Sequence, residues 1–373
     1  MSSLPTESID DLFQPNNHSN WIMEYVNVEP EVSSRVYRLV NTHYHLSARH
    51  VLSIQQFKGT EISSHNYKVK IKNQEGNIGY ILIRSHKEFD SEFVKGVIGA
   101  CDYLSIRRCS VPEVIPNDSG RCITNFEGER YTAYKFIEGT HYQGNIGELI
   151  SVASKLAQLD QHLLGMERII DTDIFNKPDA KRDELESFSR DIWEDLVSRA
   201  RSRLDNGTGD YFDKVIIDAS KYIFEAIDSA GSSRSISPVQ LVHSDLHPHN
   251  LITDGRELLA FIDLDSLRFW ERMRAVSFAI HRLVLQYLVK NNISPSSRRE
   301  VIKLAKDAFI CTYDKINILS AAEVASVGNF IQHEALRRTT FVAKGFYINN
   351  KGEWKMAIYK QIRSLLESKY FID

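Results

Sequence analysis

The spacing of apolar residues divides the chain into a strand-rich first part and a helical second part. Short β-rich runs lie at 51–57, 67–72 and 80–85, two of them alternating apolar with polar residues, and turns rich in Gly, Ser and Asn separate them. From residue 146 onward apolar residues recur every three or four positions, which predicts helices. A short β-like segment at 250–263 interrupts this second part. The pattern predicts an α+β protein.

Further elements follow from the same periodicities. A helix is predicted at 30–47, because Pro30 suits a first helical turn and apolar residues follow at every fourth position. A second helix is predicted at about 89–107, and two more strands at 121–127 and 131–138. The remaining helices are predicted at 146–165, 181–204, 210–229, 272–290, 297–312, 321–345 and 353–369.

Length and composition fit two domains with a ligand cleft near their crossover. The chain has 373 residues, of which 42% are hydrophobic, so it can bury a sizeable core. We expect an N-terminal domain at 1–137, with 1–20 loosely ordered, and a helical domain at 138–373. The net charge of −3 is spread evenly, which argues against nucleic acid or membrane as a partner.

The location predicted for the protein is cytoplasmic. The first residues lack the positive flank and apolar core of a secretory signal. The most apolar long segment, 275–289, contains His281 and Arg282 and is too short to cross a bilayer. The four cysteines are scattered without a CxxC pair, as in proteins of a reducing compartment.

The sequence LVHSDLHPHNLI at 241–252 contains three histidines that suggest a metal site on paper. His243 and His247 would share a face of a helix, but Pro248 disfavours a helix there, so His249 would point elsewhere. We therefore favour loop packing for His247 and His249 over a zinc site. His249 is also a candidate for contact with phosphates.

The oxygen-bearing side chains of the same region form a more specific pattern. Asp245 precedes Asn250 by five residues, and Asp254-Gly255 between apolar runs predicts a hairpin that ends at Asp263. Asn250 and Asp263 would then lie together at the open end of the hairpin, near Asp245. Hard cations such as Mg²⁺ prefer carboxylate and amide oxygens and share them with phosphates. The alternative is that Asp245 and Asn250 cap a turn.

HSDLHPHN followed by FIDLD resembles the catalytic loop and metal-binding segment of the aminoglycoside phosphotransferase family, which includes relatives of choline kinase. The separation of 13 residues between Asn250 and Asp263 is also that of protein kinases. The resemblance implies that Asp245 is the catalytic base, that Asn250 and Asp263 hold Mg²⁺, and that His243 orients the loop.

The resemblance also implies a two-lobed, protein-kinase-like fold, in which an N-terminal antiparallel β-sheet lobe covers the nucleotide and a larger helical C-terminal lobe binds the acceptor. The match covers most of residues 48–290. The implied nucleotide-binding residues are Gly59, Ser63 and Ser64 in the turn at 57–69, Arg84 after the third strand, and Lys135, Phe136 and Ile137 in the hinge-like segment 133–140. The turn is equally compatible with an ordinary hairpin.

Several positions depart from the family pattern or carry little signal. A strict reading places Ile83 where a phosphate-binding base is expected, and we favour the neighbouring Arg84, whose guanidinium fork suits phosphate oxygens. Glu92 is the candidate partner of that base on the following helix. The alternative for Arg84 is a solvated charge. Candidate acceptor contacts are Asp265, Glu334 and Arg337, for which a solvated helix surface is the alternative.

The predicted function is transfer of the γ-phosphate of ATP or GTP, with Mg²⁺, to a hydroxyl of a small metabolite, amino alcohol, sugar or aminoglycoside-like acceptor. One alternative is a catalytically weak, pseudokinase-like regulator that binds nucleotide, which the intact set of Asp245, Asn250 and Asp263 argues against. Another is a protein kinase, which the lack of a long activation segment after Asp263 argues against. The oligomeric state does not follow from the sequence.

Overall fold

The computed structural model describes residues 25–44, 50–57, 66–72, 75–87, 89–166, 173–176, 187–230 and 237–372. These residues divide into two compact units. The sheet unit contains the described residues of 25–176 and 240–269, and the helical unit those of 187–239 and 270–372. This division differs from the predicted boundary near residue 137, because the described residues of 138–176 and 240–269 fold together with the strands. The lobes at 1–137 and 138–373 stay a prediction.

An antiparallel sheet forms the first part of the sheet unit. Its strand order is β1-β2-β3-β4-β7-β5, and β6 pairs with β7. The strands are β1 (Tyr25–Asn27), β2 (His50–Phe57), β3 (Asn66–Lys72), β4 (Ile78–Ser85), β5 (Val114–Ile115), β6 (Thr124–Phe126) and β7 (Glu129–Lys135).

One face of this sheet packs against helix α1 (Pro30–His43). The helix buries Val36, Leu39 and Val40, which recur at the spacing of one helical face. Alternate residues of the strands, such as Val69 and Ile83, meet them and are fully buried. Because side chains of a strand alternate between faces, the residues between these point to the opposite face of the sheet.

Two helices and the predicted hairpin complete the sheet unit. The helices are α2 (Ser91–Ile106) and α3 (Ile146–Met166). Strand β8 (Thr140–His141) pairs with β10 (Leu251–Thr253), which pairs with β11 (Leu258–Phe261). Gly255 turns this hairpin with a φ of 89°, a conformation that glycine adopts without steric cost. The hairpin predicted from Asp254-Gly255 is therefore confirmed. Strands β9 (Val239–His243) and β12 (Leu267–Glu271) pair separately.

The helical unit buries an apolar core that includes Trp193 and Leu336, both fully inaccessible. Its longest helix, Ala321–Tyr347, begins with a capping box in which Ser320 and Glu323 satisfy each other's backbone amides. The helices of this unit are α4 (Arg190–Asp205), α5 (Tyr211–Ala230), α6 (Arg272–Lys290), α7 (Arg298–Asp314), α8 (Ala321–Tyr347) and α9 (Lys355–Ser368).

The predicted α+β class is confirmed, and the long elements lie where their periodicity indicates. The strand predicted at 131–138 ends earlier, at Lys135, and that predicted at 121–127 is reduced to Thr124–Phe126. The short strands Tyr25–Asn27, Val114–Ile115 and Thr140–His141 were not predicted, because so few residues show no period. Among the described residues, no helix combines the length and apolar character needed to cross a bilayer.

Candidate active site

Arg84 lies on the sheet face opposite to the α1 core. Its neighbour Ile83 is fully buried in that core, so strand alternation directs Arg84 to the other face. Ile83 therefore has no route to a phosphate. This geometry favours the interpretation that the basic residue of this strand is Arg84.

The Arg84 guanidinium contacts two carboxylates that follow the hairpin. Its Nη2 lies 3.1 Å from Asp263 Oδ1 and also contacts Asp265 Oδ2. The Arg84 and Asp265 side chains are only 11% and 10% exposed, so this is a largely buried ion pair. Burial alone would lower the pKa of Arg84, but Asp265 and Asp263 outweigh that effect and raise it.

The partner of Arg84 is thus not the one considered from the sequence. Glu92 lies in the first turn of α2, is largely exposed, and pairs with Lys95 at 2.6 Å. Asp265 takes the place proposed for Glu92, because it is the less exposed of the two carboxylates on Arg84. Contact of Asp265 with an acceptor stays a prediction, and its placement favours a role in holding Arg84.

Asp263 adopts a left-handed backbone conformation, with φ 64° and ψ 47°. Such a conformation costs about 1–3 kcal/mol for a residue other than glycine and is concentrated at functional sites. Its backbone carbonyl oxygen accepts from Ser266 N at 3.0 Å, which begins a short 3₁₀ turn. The strained turn directs the Asp263 carboxylate back toward Arg84.

The hairpin joins the catalytic-loop sequence to the Asp263 segment. Ile262 N donates to Asn250 O at 2.9 Å, and the Asn250 side chain donates through Nδ2 to Asp245 O at 2.8 Å. Asn250 is nearly buried. Its side-chain nitrogen is the donor in this bond, and its side-chain oxygen is the atom that could bind a cation. The backbone contact holds Asn250 beside the segment that carries Asp263.

His243 connects the two segments a second time. The buried imidazole contacts Ile262 O through Nε2 at 3.0 Å, and Nδ1 accepts the backbone N–H of Asp245 at 3.3 Å. These two partners together require the neutral tautomer with the proton on Nε2. Burial lowers the pKa of His243, which agrees with a neutral ring. The geometry fits the predicted role of orienting the loop.

Asp245 is partly exposed and has a histidine beside it. His247 Nδ1 accepts the backbone N–H of His249 at 3.3 Å, and its Nε2 lies 3.5 Å from Asp245 Oδ2. His247 was interpreted from the sequence as loop packing alone. The structure instead places its ring against the carboxylate of Asp245. This contact depends on the loop conformation around Pro248.

The donor set suits Mg²⁺ better than zinc. In the described parts of the chain, no three His, Cys, Asp or Glu side chains converge on a point that could hold a metal ion. A cation site here would combine Asn250 and Asp263 with oxygens of a bound phosphate, as Mg²⁺ sites commonly do. The amide oxygen of Asn250 and the carboxylate of Asp263 fit this hard-oxygen chemistry.

The residues predicted to bind nucleotide differ in their exposure, and some lie outside the described part of the chain. Phe136 and Ile137 follow the end of β7 and are half-buried, whereas Lys135 is exposed and lies 3.6 Å from Glu113. Gly59, Ser63 and Ser64 lie outside the described residues.

The two predicted acceptor residues of helix α8 lie in the helical unit and pair with each other. Glu334 is almost fully buried and accepts from Arg337 at 2.6 and 2.8 Å, and Arg274 contacts its other oxygen. Arg274 and Arg337 lower the pKa of Glu334 despite its burial. Glu334 and Arg337 therefore do not form the solvated helix surface that was the alternative. Their contact with an acceptor stays a prediction.

Comparison with known proteins identifies the family of this chain. Residues 53–270 match the model of the phosphotransferase enzyme family. The chain belongs to this family. The matched range begins within β2 and contains Arg84, Asp245, Asn250 and Asp263. The resemblance stated from the sequence and the predicted enzyme class, a phosphotransferase, are thereby confirmed. No curated protein matches this family member significantly in sequence.

Solved structures resemble this phosphotransferase in fold. An amicoumacin kinase, hAmiN, in complex with AMP-PNP, Ca²⁺ and Ami has a TM-score of 0.61 at 15% identity, with 92% of this chain and 96% of that chain covered. An aminoglycoside phosphotransferase from Alicyclobacillus acidocaldarius has a TM-score of 0.62 at 11% identity, covering 96% and 97%. A choline kinase from Cryptosporidium parvum has a TM-score of 0.52 at 13% identity, covering 92% and 97%. They confirm the protein-kinase-like fold class.

Proposed function

We propose that this phosphotransferase is a small-molecule kinase that transfers the γ-phosphate of ATP or GTP to an acceptor hydroxyl. The acceptor oxygen forms the new bond to the γ-phosphorus, the bond from that phosphorus to the β–γ bridging oxygen breaks, and Asp245 takes the hydroxyl proton. The acceptor class is a small metabolite, amino alcohol, sugar or aminoglycoside-like compound. The names of the similar structures, which include amicoumacin and choline kinases, support this class.

The observation that carries the proposal is the meeting of Arg84 with Asp263 at the end of the hairpin. A basic residue from the sheet and a carboxylate after the catalytic loop lie within 3.1 Å of each other. Phosphoryl transfer needs positive charge from a side chain and a carboxylate that holds a cation at one place.

Each residue has a distinct part in this proposal. Asn250 and Asp263 hold Mg²⁺, which when bound supplies positive charge to the phosphates. Arg84 donates to phosphate oxygens through its fork, and Asp265 keeps that side chain in place when Asp263 turns to the cation. His243 holds the Asp245 backbone, and His247 restrains the Asp245 carboxylate.

The test is product formation over a panel of hydroxyl compounds with Mg-ATP and Mg-GTP, using wild type, Asp245→Asn and Asp263→Asn. General base catalysis contributes roughly 10²–10⁴-fold, so we expect Asp245→Asn to lower kcat by at least about 100-fold. Nucleotide affinity should not change in Asp245→Asn, because the base does not hold the phosphates. Asp263→Asn should weaken Mg-dependent nucleotide binding. Asp254→Asn, at the exposed tip of the same hairpin, is the control.

Two results would contradict the proposal. A kcat of Asp245→Asn equal to that of wild type would show that Asp245 is not the catalytic base. Mg-dependent nucleotide binding by the wild type without product from any acceptor class would favour the alternative of a regulator that binds nucleotide.

A further inference from the structure

A lysine ammonium group lies among three aromatic rings on the Arg84 face of the sheet. Lys68 Nζ is 4.9 Å from the ring centroid of Tyr25, 4.3 Å from that of Tyr80 and 4.2 Å from that of Phe136. These distances are those of cation–π contacts. All four side chains are half-buried. We call these four residues the lysine–aromatic patch.

The patch lies on the same face of the sheet as Arg84. Val69, Ile81 and Ile83 are buried against α1, so Lys68 and Arg84 both point to the other side. Lys68 pairs in register with Leu82, which is two residues before Arg84 on the next strand. The Cα atoms of Lys68 and Arg84 are therefore about 8 Å apart, from a rise of ~3.3 Å per residue and a strand spacing of ~4.8 Å.

Lys68 and Arg84 are therefore near neighbours on one face of the sheet, and both can face the same bound nucleotide. The third ring of the patch, Phe136, belongs to the hinge-like segment, where the resemblance places the base. Flat rings offer stacking surface to a purine. If Arg84 binds the phosphates, as under the proposed function, the purine base lies at the lysine–aromatic patch.

The ammonium group of Lys68 is a donor only, and this limits which base edge it can contact. Guanine presents two adjacent acceptors, O6 and N7, and lysine contacts this pair commonly in guanine recognition. Adenine presents an amino group beside N7, whose hydrogens would face the ammonium hydrogens. We infer that Lys68 selects a purine with an oxygen at position 6, so that the nucleotide of this kinase is GTP rather than ATP. This inference rests on the proposed function.

The pKa of Lys68 agrees with a bound partner that accepts a hydrogen bond from its ammonium group. Burial among the rings lowers the pKa of Lys68, and the carboxylate of Glu138 only partly offsets this. An acceptor oxygen on a bound base would stabilise the ammonium form in addition to the rings.

The experiment measures Kd for Mg-GTP, Mg-ITP and Mg-ATP by calorimetry, without any acceptor. ITP has the oxygen at position 6 but lacks the 2-amino group of GTP, so it isolates the proposed contact. We expect wild type to bind GTP and ITP about tenfold or more tightly than ATP, the effect of one charged hydrogen bond. Lys68→Met should bring the three values within about threefold of each other, and Lys68→Arg should keep the preference.

Lys70→Met is the matched control, because Lys70 lies on the same strand and the same face, two residues further. It should leave the preference unchanged. If Lys68→Met does not fold, Lys68→Gln replaces it, with the same expectation of a reduced preference. Binding of ATP as tightly as GTP by wild type, or a GTP preference that persists in Lys68→Met, would overturn this inference and leave the proposed function intact. Failure of all three nucleotides to bind wild type would overturn both.

Discussion

The ion pair between Arg84 and Asp265 leads to a pH-dependent stability prediction. Replacing Arg84 by Met removes the charge while keeping an unbranched side chain of similar length. Asp265 is 10% exposed in this pair, so the variant leaves a carboxylate buried beside Asp263, which carries the same charge. Breaking a buried ion pair by removing one partner costs about 3–5 kcal/mol.

Proton uptake by Asp265 limits this cost. Protonating an ordinary aspartate costs roughly 4 kcal/mol at pH 7 and roughly 1.5 kcal/mol at pH 5. We therefore expect Arg84→Met to lower the free energy of unfolding by about 3–4 kcal/mol at pH 7 and by at most about 1.5 kcal/mol at pH 5. The variant is destabilised more at pH 7 than at pH 5 because it raises the pKa of Asp265 in the folded state. Stability is then kept at low pH and lost as the pH rises.

The assay is urea unfolding of nucleotide-free wild type, Arg84→Met and the double variant Arg84→Met/Asp265→Asn at both pH values. The double variant removes both charges and should recover most of the stability at pH 7. Its difference from wild type in free energy of unfolding should be the same at both pH values. A loss in Arg84→Met that is equal at pH 5 and pH 7, and is not recovered in the double variant, would refute the reasoning.

Three further predictions concern other parts of the structure. His243→Leu removes the imidazole contacts of the half-buried Ile262 carbonyl and Asp245 amide and should cost about 1–3 kcal/mol in urea unfolding; an unchanged free energy of unfolding would contradict this expectation. Burial lowers the pKa of His281 to about 3. The free energy of unfolding should therefore fall by about 2 kcal/mol as the pH is lowered from 7 to 5, because only the unfolded chain protonates this histidine. His281→Gln should remove this pH dependence. A Cβ on Gly139 would lie 2.6 Å from Thr253 O, so Gly139→Ala should lower stability by about 1–3 kcal/mol, whereas Gly352→Ala, with open space, should not.

The candidate site shows which contacts follow from local pattern. Asn250 and Asp263 were expected together because Asp254-Gly255 predicts a hairpin, and a hairpin brings residues flanking its two strands to one end. Arg84 was preferred to Ile83 on chemical grounds, and strand alternation agrees with that choice. In each case a short-range rule was sufficient.

Other contacts required the folded chain. Asp265 on Arg84 joins residues 181 positions apart, and Lys68 among its three rings joins four segments. No periodicity encodes such partners, because they depend on how separate strands and turns pack. Glu92 was a reasonable partner for Arg84 from its helix position, but the helix directs it to solvent and to Lys95.

The sequence by itself determined the α+β class, the long helices and strands, the hairpin and the order of the motif residues, because each depends on neighbours within about ten positions. Tertiary structure decided the left-handed turn at Asp263, the pairing of Arg84 with the buried Asp265, the contact of His247 with Asp245 and the lysine–aromatic patch. It also decided that the described parts of 138–176 and 240–269 fold with the sheet. These features arise where distant segments meet, and there burial and charge pairing outweigh local preference.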